Sequence, residues 1–101
     1  MSRKFELLRG GIVLGVVTLD TAESDFPWLV GWLEPAPEFA AVEPLFAEMD
    51  GKLDEDGLTD ESIELHEQVM EPGIQMRSLQ DGELSNIVGI SIGDRRVSWR
   101  I

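Results

Sequence analysis

Residues 5–19, FELLRGGIVLGVVTL, decide how this chain begins to fold. Gly10-Gly11 is a two-residue turn signal, because glycine accepts the positive φ that a tight hairpin needs. Closing the hairpin there sets Arg9 opposite Ile12, Leu7 opposite Leu14 and Phe5 opposite Val16. Phe5, Leu7, Ile12, Leu14 and Val16 then share one apolar face. A slip of one residue would scatter them over both faces.

Outward from this hairpin the chain reads as strands, helices, strands. DTAESD, residues 20–25, is a polar connection, and FPWLVGWLEP, residues 26–35, is a third strand. Its alternation puts Trp28, Val30 and Trp32 on one face and Leu29 and Leu33 on the other. With both faces apolar, the strand is expected to be central or covered on both sides. A helix then opens at Pro37, where a missing N–H costs nothing. Phe39, Val42, Leu45, Phe46, Met49 and Leu53 fall on one arc of it. Pro44 interrupts this helix away from the apolar arc and is expected to bend it around the core. A second helix starts at Thr59, a good N-cap, with Asp60 and Glu61 beside the positive end of the dipole. Leu58 and Ile63 hold the positions of a hydrophobic staple, and Pro72-Gly73 ends the helix.

The remainder carries two turn signals, Asp81-Gly82 and Gly93-Asp94. The second sets Ile92 opposite Arg95, Ile90 opposite Val97 and Val88 opposite Trp99, an apolar face with one arginine at the turn. The expected fold is α+β: a mostly antiparallel, curved sheet in the order β-β-β-α-α-β-β-β, with the helical pair packed on one face. The 101 residues form a single domain.

Composition narrows function. There is no cysteine, so disulfides, zinc–thiolate sites and thiol catalysis are excluded. The longest apolar run, Ile12–Val17, is broken by Gly15 and is far short of a membrane span. The N-terminus lacks the apolar core of a secretory signal, so a soluble, cytoplasmic protein is the expectation. Charge is distributed unevenly. Residues 20–71 hold sixteen acids and one base, Lys52, a net −15, whereas the flanks hold seven bases and four acids, a net +3. A field of this sign repels nucleic acid and anionic lipid and attracts a basic protein.

The densest acidic stretch, MDGKLDEDGLTDES at residues 49–62, invites comparison with a calcium loop. With Gly57 at the sixth loop position, the first is Lys52 and the twelfth Ile63. With Asp50 first, Lys52 falls third and Glu55 replaces the glycine. A lysine cannot ligate calcium, so neither register fits. The stretch reads as a helix end, a turn at Gly57 and a cap at Thr59, and no metal or cofactor is expected.

No catalytic set emerges. GISIG, residues 89–93, matches the nucleophile-elbow spacing at Ser91, but it lies in a strand leading to a hairpin rather than in a strand–turn–helix. His66, the one histidine, falls within the apolar arc of the second helix with Ile63, Leu65, Val69 and Met70. That position suits a partly buried histidine, or a general base or pH-sensitive contact. Trp28 and Trp32 share a strand face and are core residues or the lining of a pocket or interface. Arg77, Arg95, Arg96 and Arg100 form the basic counterpart of the acidic middle. Arg96 and Arg100 share the polar face of the last strand. Their face could meet the acidic helices of a second subunit, so a homodimer is one assembly the charge pattern allows.

The segments Asp25-Phe26-Pro27-Trp28, Pro35/Pro37/Phe39 and Pro44-Leu45-Phe46 resemble a group of small uncharacterised bacterial proteins, many of them actinobacterial. The resemblance implies the layout above and carries no activity. The function expected is thus a non-enzymatic, acidic interaction module, one version of which neutralises a basic protein partner. The alternative is a small-molecule binder or minor enzyme with a pocket between sheet and helices near Trp28, Trp32 and His66.

Overall fold

The computed structural model describes residues 3–22, 24, 28–56 and 59–100, with the side chains of 52–56 outside that set. The expected turn at Gly57, the staple residue Leu58 and the Asp25-Phe26-Pro27 segment therefore lie outside the described residues. The elements are β1 (Lys4–Arg9), β2 (Ile12–Leu19), β3 (Trp28–Pro35), a 3₁₀ turn (Pro37–Ala41), α1 (Glu43–Asp56), α2 (Asp60–Met70), β4 (Ile74–Ser78), β5 (Leu84–Asn86), β6 (Gly89–Gly93) and β7 (Arg96–Arg100). The seven strands form one antiparallel sheet in the order β5-β4-β1-β2-β3-β7-β6. The α+β class, the curved sheet and the helical pair match the sequence expectation.

The chain joins the two edges of this sheet directly. Only Ile87 and Val88 separate β5 at one edge from β6 at the other. Three peptide steps span at most about 11 Å. The sheet therefore curls into a half-barrel, and the helices close its concave side. Leu7, Leu14, Val17, Leu33, Met76, Val97 and Trp99 fill that side together with Phe46 and Met49 of α1 and Leu65 and Val69 of α2. The single strand expected over residues 83–92 is thus two. Its first half pairs with β4 and its second with β7, and the two partners sit far apart in the sheet.

Two hairpin registers differ from expectation. In the first, Arg9 faces Ile12 and Leu8 faces Val13, but Leu7 faces Gly15 and Phe5 faces Val17. Leu14 is the extra residue of a bulge, which turns Val17 rather than Val16 to the core. Gly15 makes the bulge possible: a Cβ there would stand 2.4 Å from the Glu34 carbonyl oxygen. In the last hairpin the loop is Asp94-Arg95, with Gly93 opposite Arg96, Ile92 opposite Val97 and Ile90 opposite Trp99. The inward face is as expected, since a slip of two preserves it. Val88 lies just before β6, its N–H donating to the Arg100 carbonyl at 2.9 Å rather than facing Trp99, and is 61% exposed.

The first helix is not one bent helix. Pro44 lacks an N–H and disfavours helical geometry in the residue before it. The chain responds with a short 3₁₀ turn over Pro37–Ala41 and a fresh start of α1 at Glu43. Phe39, Phe46 and Met49 nevertheless face the core as expected. Thr59 caps α2: its hydroxyl accepts from Ser62 N at 3.1 Å, and Thr59 N donates to Ser62 Oγ at 2.9 Å. The far end of α2 is held by the first hairpin. Arg9 donates to the carbonyls of Val69 and Gln68, both at 3.0 Å, satisfying orphan groups of the last turn.

Candidate interaction surfaces

Strand alternation and the registers above place a row of side chains on the face of β3 and β7 opposite the core side chains Leu33, Val97 and Trp99, with Arg96 and Ser98 also reaching the cleft beside α1. Trp28 pairs with Arg100, Val30 with Ser98 and Trp32 with Arg96. Trp28 is 44% and Trp32 49% exposed, whereas Val30 between them is 7% exposed. β3 is central, flanked by β2 and β7, but its outer face is uncovered. Of the alternatives open for these two indoles, the core position does not hold, since both rings stay partly exposed. Trp99 alone of the three tryptophans is in the core, where its ring meets Phe5 edge-on at 6.1 Å.

The same face continues across the sheet. Glu6 and Arg77 oppose each other on β1 and β4 and form an ion pair at 2.7 Å. Lys4 and Thr18 pair beside them, and Thr18 also pairs with Trp32. Aromatic plates and guanidinium groups thus alternate on a solvent-facing sheet. Tryptophan and arginine are the residues that most often anchor protein interfaces.

The opposite side of the molecule has the other sign. On α2, Ser62, Leu65 and Val69 are buried against the sheet. Asp60, Glu64, Glu67 and Glu71 point directly away from that stripe, and Ile63, 47% exposed, sits at its border. Ser62, locked in the cap, takes the inward place expected of Ile63. His66 is half-buried at the flank of this helix. It lies on the helical side of the sheet and the two tryptophans on the convex side, so the three residues do not converge on one pocket.

A cavity lies elsewhere. A cleft of about 820 Å³ runs between α1 and the β6–β7 hairpin, lined by Phe46, Asp50, Ser91, Gly93, Asp94, Arg95 and Arg96 among others. Ser91 lies within strand β6, so no strand–turn–helix elbow forms there. Asp94 and Arg95, on the rim, have positive φ of 51° and 67°. Residues 49–56 form the C-terminal half of α1, a continuous helix. Among the described residues no helix is long and apolar enough to cross a membrane. Comparison with protein-family models, curated proteins and solved structures gives no significant match.

Proposed function

We propose that this protein is a non-enzymatic interaction module whose acidic helical face engages a basic protein partner. The observation that carries this reading is the solvent face of α2, which presents Asp60, Glu64, Glu67 and Glu71 with no lysine or arginine in the helix. Carboxylates on a rigid, capped helix steer a cationic partner and suppress anionic ones. The test is co-expression with the products of adjacent genes, followed by capture at low and high salt. A basic product that is captured, released by salt and lost in the E64K/E67K variant is the expected result. Capture that survives the charge reversal, or no basic product captured, overturns the reading.

A second reading, a small-molecule binder, is favoured by the cleft between α1 and the β6–β7 hairpin, whose walls hold acids, arginines and Ser91. Both charge signs on facing walls suit a small zwitterion. Thermal-shift measurements with free amino acids, on wild type and on the R95G variant, test it. A stabilisation present in the first and absent in the second supports it, and none in either removes it.

A further inference from the structure

We infer that strand β5 pairs with β5 of a second copy, antiparallel about a two-fold axis through Ser85, joining two sheets edge to edge. The inference is independent of the acidic α2 face, because it uses another surface and backbone hydrogen bonds rather than charge.

The ladder shows which backbone groups of β5 are occupied. Ile87 N donates to the Ile74 carbonyl at 3.0 Å, and Ser78 N donates to the Glu83 carbonyl at 2.8 Å. Both pairs continue the register in which Met76 opposes Ser85. Bonded and non-bonded pairs alternate in an antiparallel ladder, so Glu83, Ser85 and Ile87 turn their N–H and C=O groups toward β4. Leu84 and Asn86 turn theirs outward, where β5 is the last strand of the sheet. Among the described residues no strand takes up these four groups.

The open frame is short and closed at both ends. Val88 N is given to the Arg100 carbonyl at 2.9 Å, and Gly82 N to the Ser78 carbonyl at 2.8 Å. Between them lies a strand of 3 residues. An identical strand fits this frame in full. With Ser85 opposite the partner's Ser85, Leu84 meets the partner's Asn86 and Asn86 meets the partner's Leu84. Both are bonded pairs, so every outward group is used. A longer foreign strand would outrun the frame.

The side chains agree. Sheet edges are commonly guarded by lysine, proline or a bulge. Leu84, Ser85 and Asn86 carry neither charge nor proline. Leu84 is 50% exposed. About the two-fold axis it lies diagonal to the partner's Leu84, within reach of a long side chain. Arg77, opposite Leu84 on β4, is already paired with Glu6. Two copies of a chain carrying −12 repel each other. Salt screens that repulsion beyond about 8 Å, so the dimer tightens as salt rises. A contact between the acidic helix and a basic partner responds in the opposite sense.

Sedimentation equilibrium up to millimolar protein, at low and high salt, reads the dimer. L84P removes an outward N–H, and L84K adds charge to the edge. Neither touches a bond to β4, and proline is tolerated at the first residue of a strand. L84P deletes two of the intermolecular bonds in each dimer and is expected to weaken it about tenfold or more. L84K is expected to weaken it also, while E64K/E67K dimerises as wild type does. The chain has no cysteine, so single cysteines report the register. Directly opposed Cα atoms of a non-bonded pair stand about 4.5 Å apart, within disulfide range, whereas diagonal ones stand about 7–8 Å apart, outside it. Under mild oxidant S85C is expected to cross-link at least about tenfold faster than L84C.

Wild type that stays monomeric at millimolar concentration overturns the inference. So does a dimer that L84P and L84K leave intact, that E64K/E67K abolishes, or that L84C locks faster than S85C.

Discussion

The indole of Trp28 lies across Gly89, two strands away in the sheet, so closely that a Cβ at position 89 would stand 3.3 Å from Cη2 and 3.9 Å from Cζ3. With no side chain at position 89, the ring has room to approach β6 there, next to Arg100.

Gly89→Val is therefore expected to lift the Trp28 ring and lower stability by about 1–3 kcal/mol, the usual cost of overfilling a packed site. The penalty should shrink when Trp28 is first replaced by alanine, because the clash partner is gone. A double-mutant cycle by thermal or urea unfolding measures this. An equal penalty in both backgrounds would show that Gly89 is needed for another reason.

Gly51 sits within α1, and a Cβ there meets nothing within 4 Å. Glycine inside a helix costs roughly 0.5–1 kcal/mol relative to alanine, chiefly through unfolded-chain entropy. Gly51→Ala is expected to raise Tm by a few degrees in a domain of this size.

Gly15 and Gly31 behave in the opposite way. A Cβ on Gly15 would stand 2.4 Å from the Glu34 carbonyl oxygen, and one on Gly31 would stand 2.5 Å from that of Thr18. Both contacts are with backbone across the β2–β3 ladder, which cannot rotate aside. Alanine at either position should destabilise by at least about 1–3 kcal/mol and reduce the midpoint of urea unfolding, with the Gly15 change also threatening the bulge that turns Val17 inward.

Asp94 and Arg95 form the loop of the β6–β7 hairpin with φ of 51° and 67°. The first is tolerated by aspartate. The second costs an arginine roughly 1–2 kcal/mol, which a glycine would not incur. Arg95→Gly is expected to stabilise the protein by about 1 kcal/mol. If the cleft beside it holds a ligand, that gain should come with weaker ligand-induced stabilisation.

Asp81 accepts a hydrogen bond from the Glu83 backbone N–H at 2.9 Å, and this bond, above all, holds its carboxyl below the ordinary value of 3.8. A group whose folded pKa is depressed favours folding above its unfolded pKa, and that contribution is lost as pH falls through the folded pKa. Asp81→Asn should therefore remove a small stability difference seen above pH ~4 and flatten the acid limb of the unfolding curve, as thermal scans across the acid range would show.

Local chemistry alone made much of this fold legible. Gly10-Gly11 marks a turn wherever it occurs, Thr59 followed by acids marks a helix start, and Pro72-Gly73 marks a helix stop. The inward faces of β6 and β7 follow from alternation and hold even though one hairpin slips by two residues. Net charge and the absence of cysteine depend on composition only. The acidic run at 49–56 reads as helix because lysine stands where a ligand would be required.

What needed the tertiary structure is everything set by which strands become neighbours. Residues 83–92 look like one strand, yet their halves pair at opposite edges because the sheet curls until those edges meet. Val16 and Val17 are interchangeable until the Leu14 bulge chooses between them. Trp28 and Trp32 have core composition, and burial depends on whether another layer arrives. The helices pack on the concave side, and the indoles on the other face of β3 stay partly exposed, opposite Arg100 and Arg96. The sequence determines which residues share a face. Only the packed layers decide which face is inside, because burial belongs to the assembly of elements and to no element by itself.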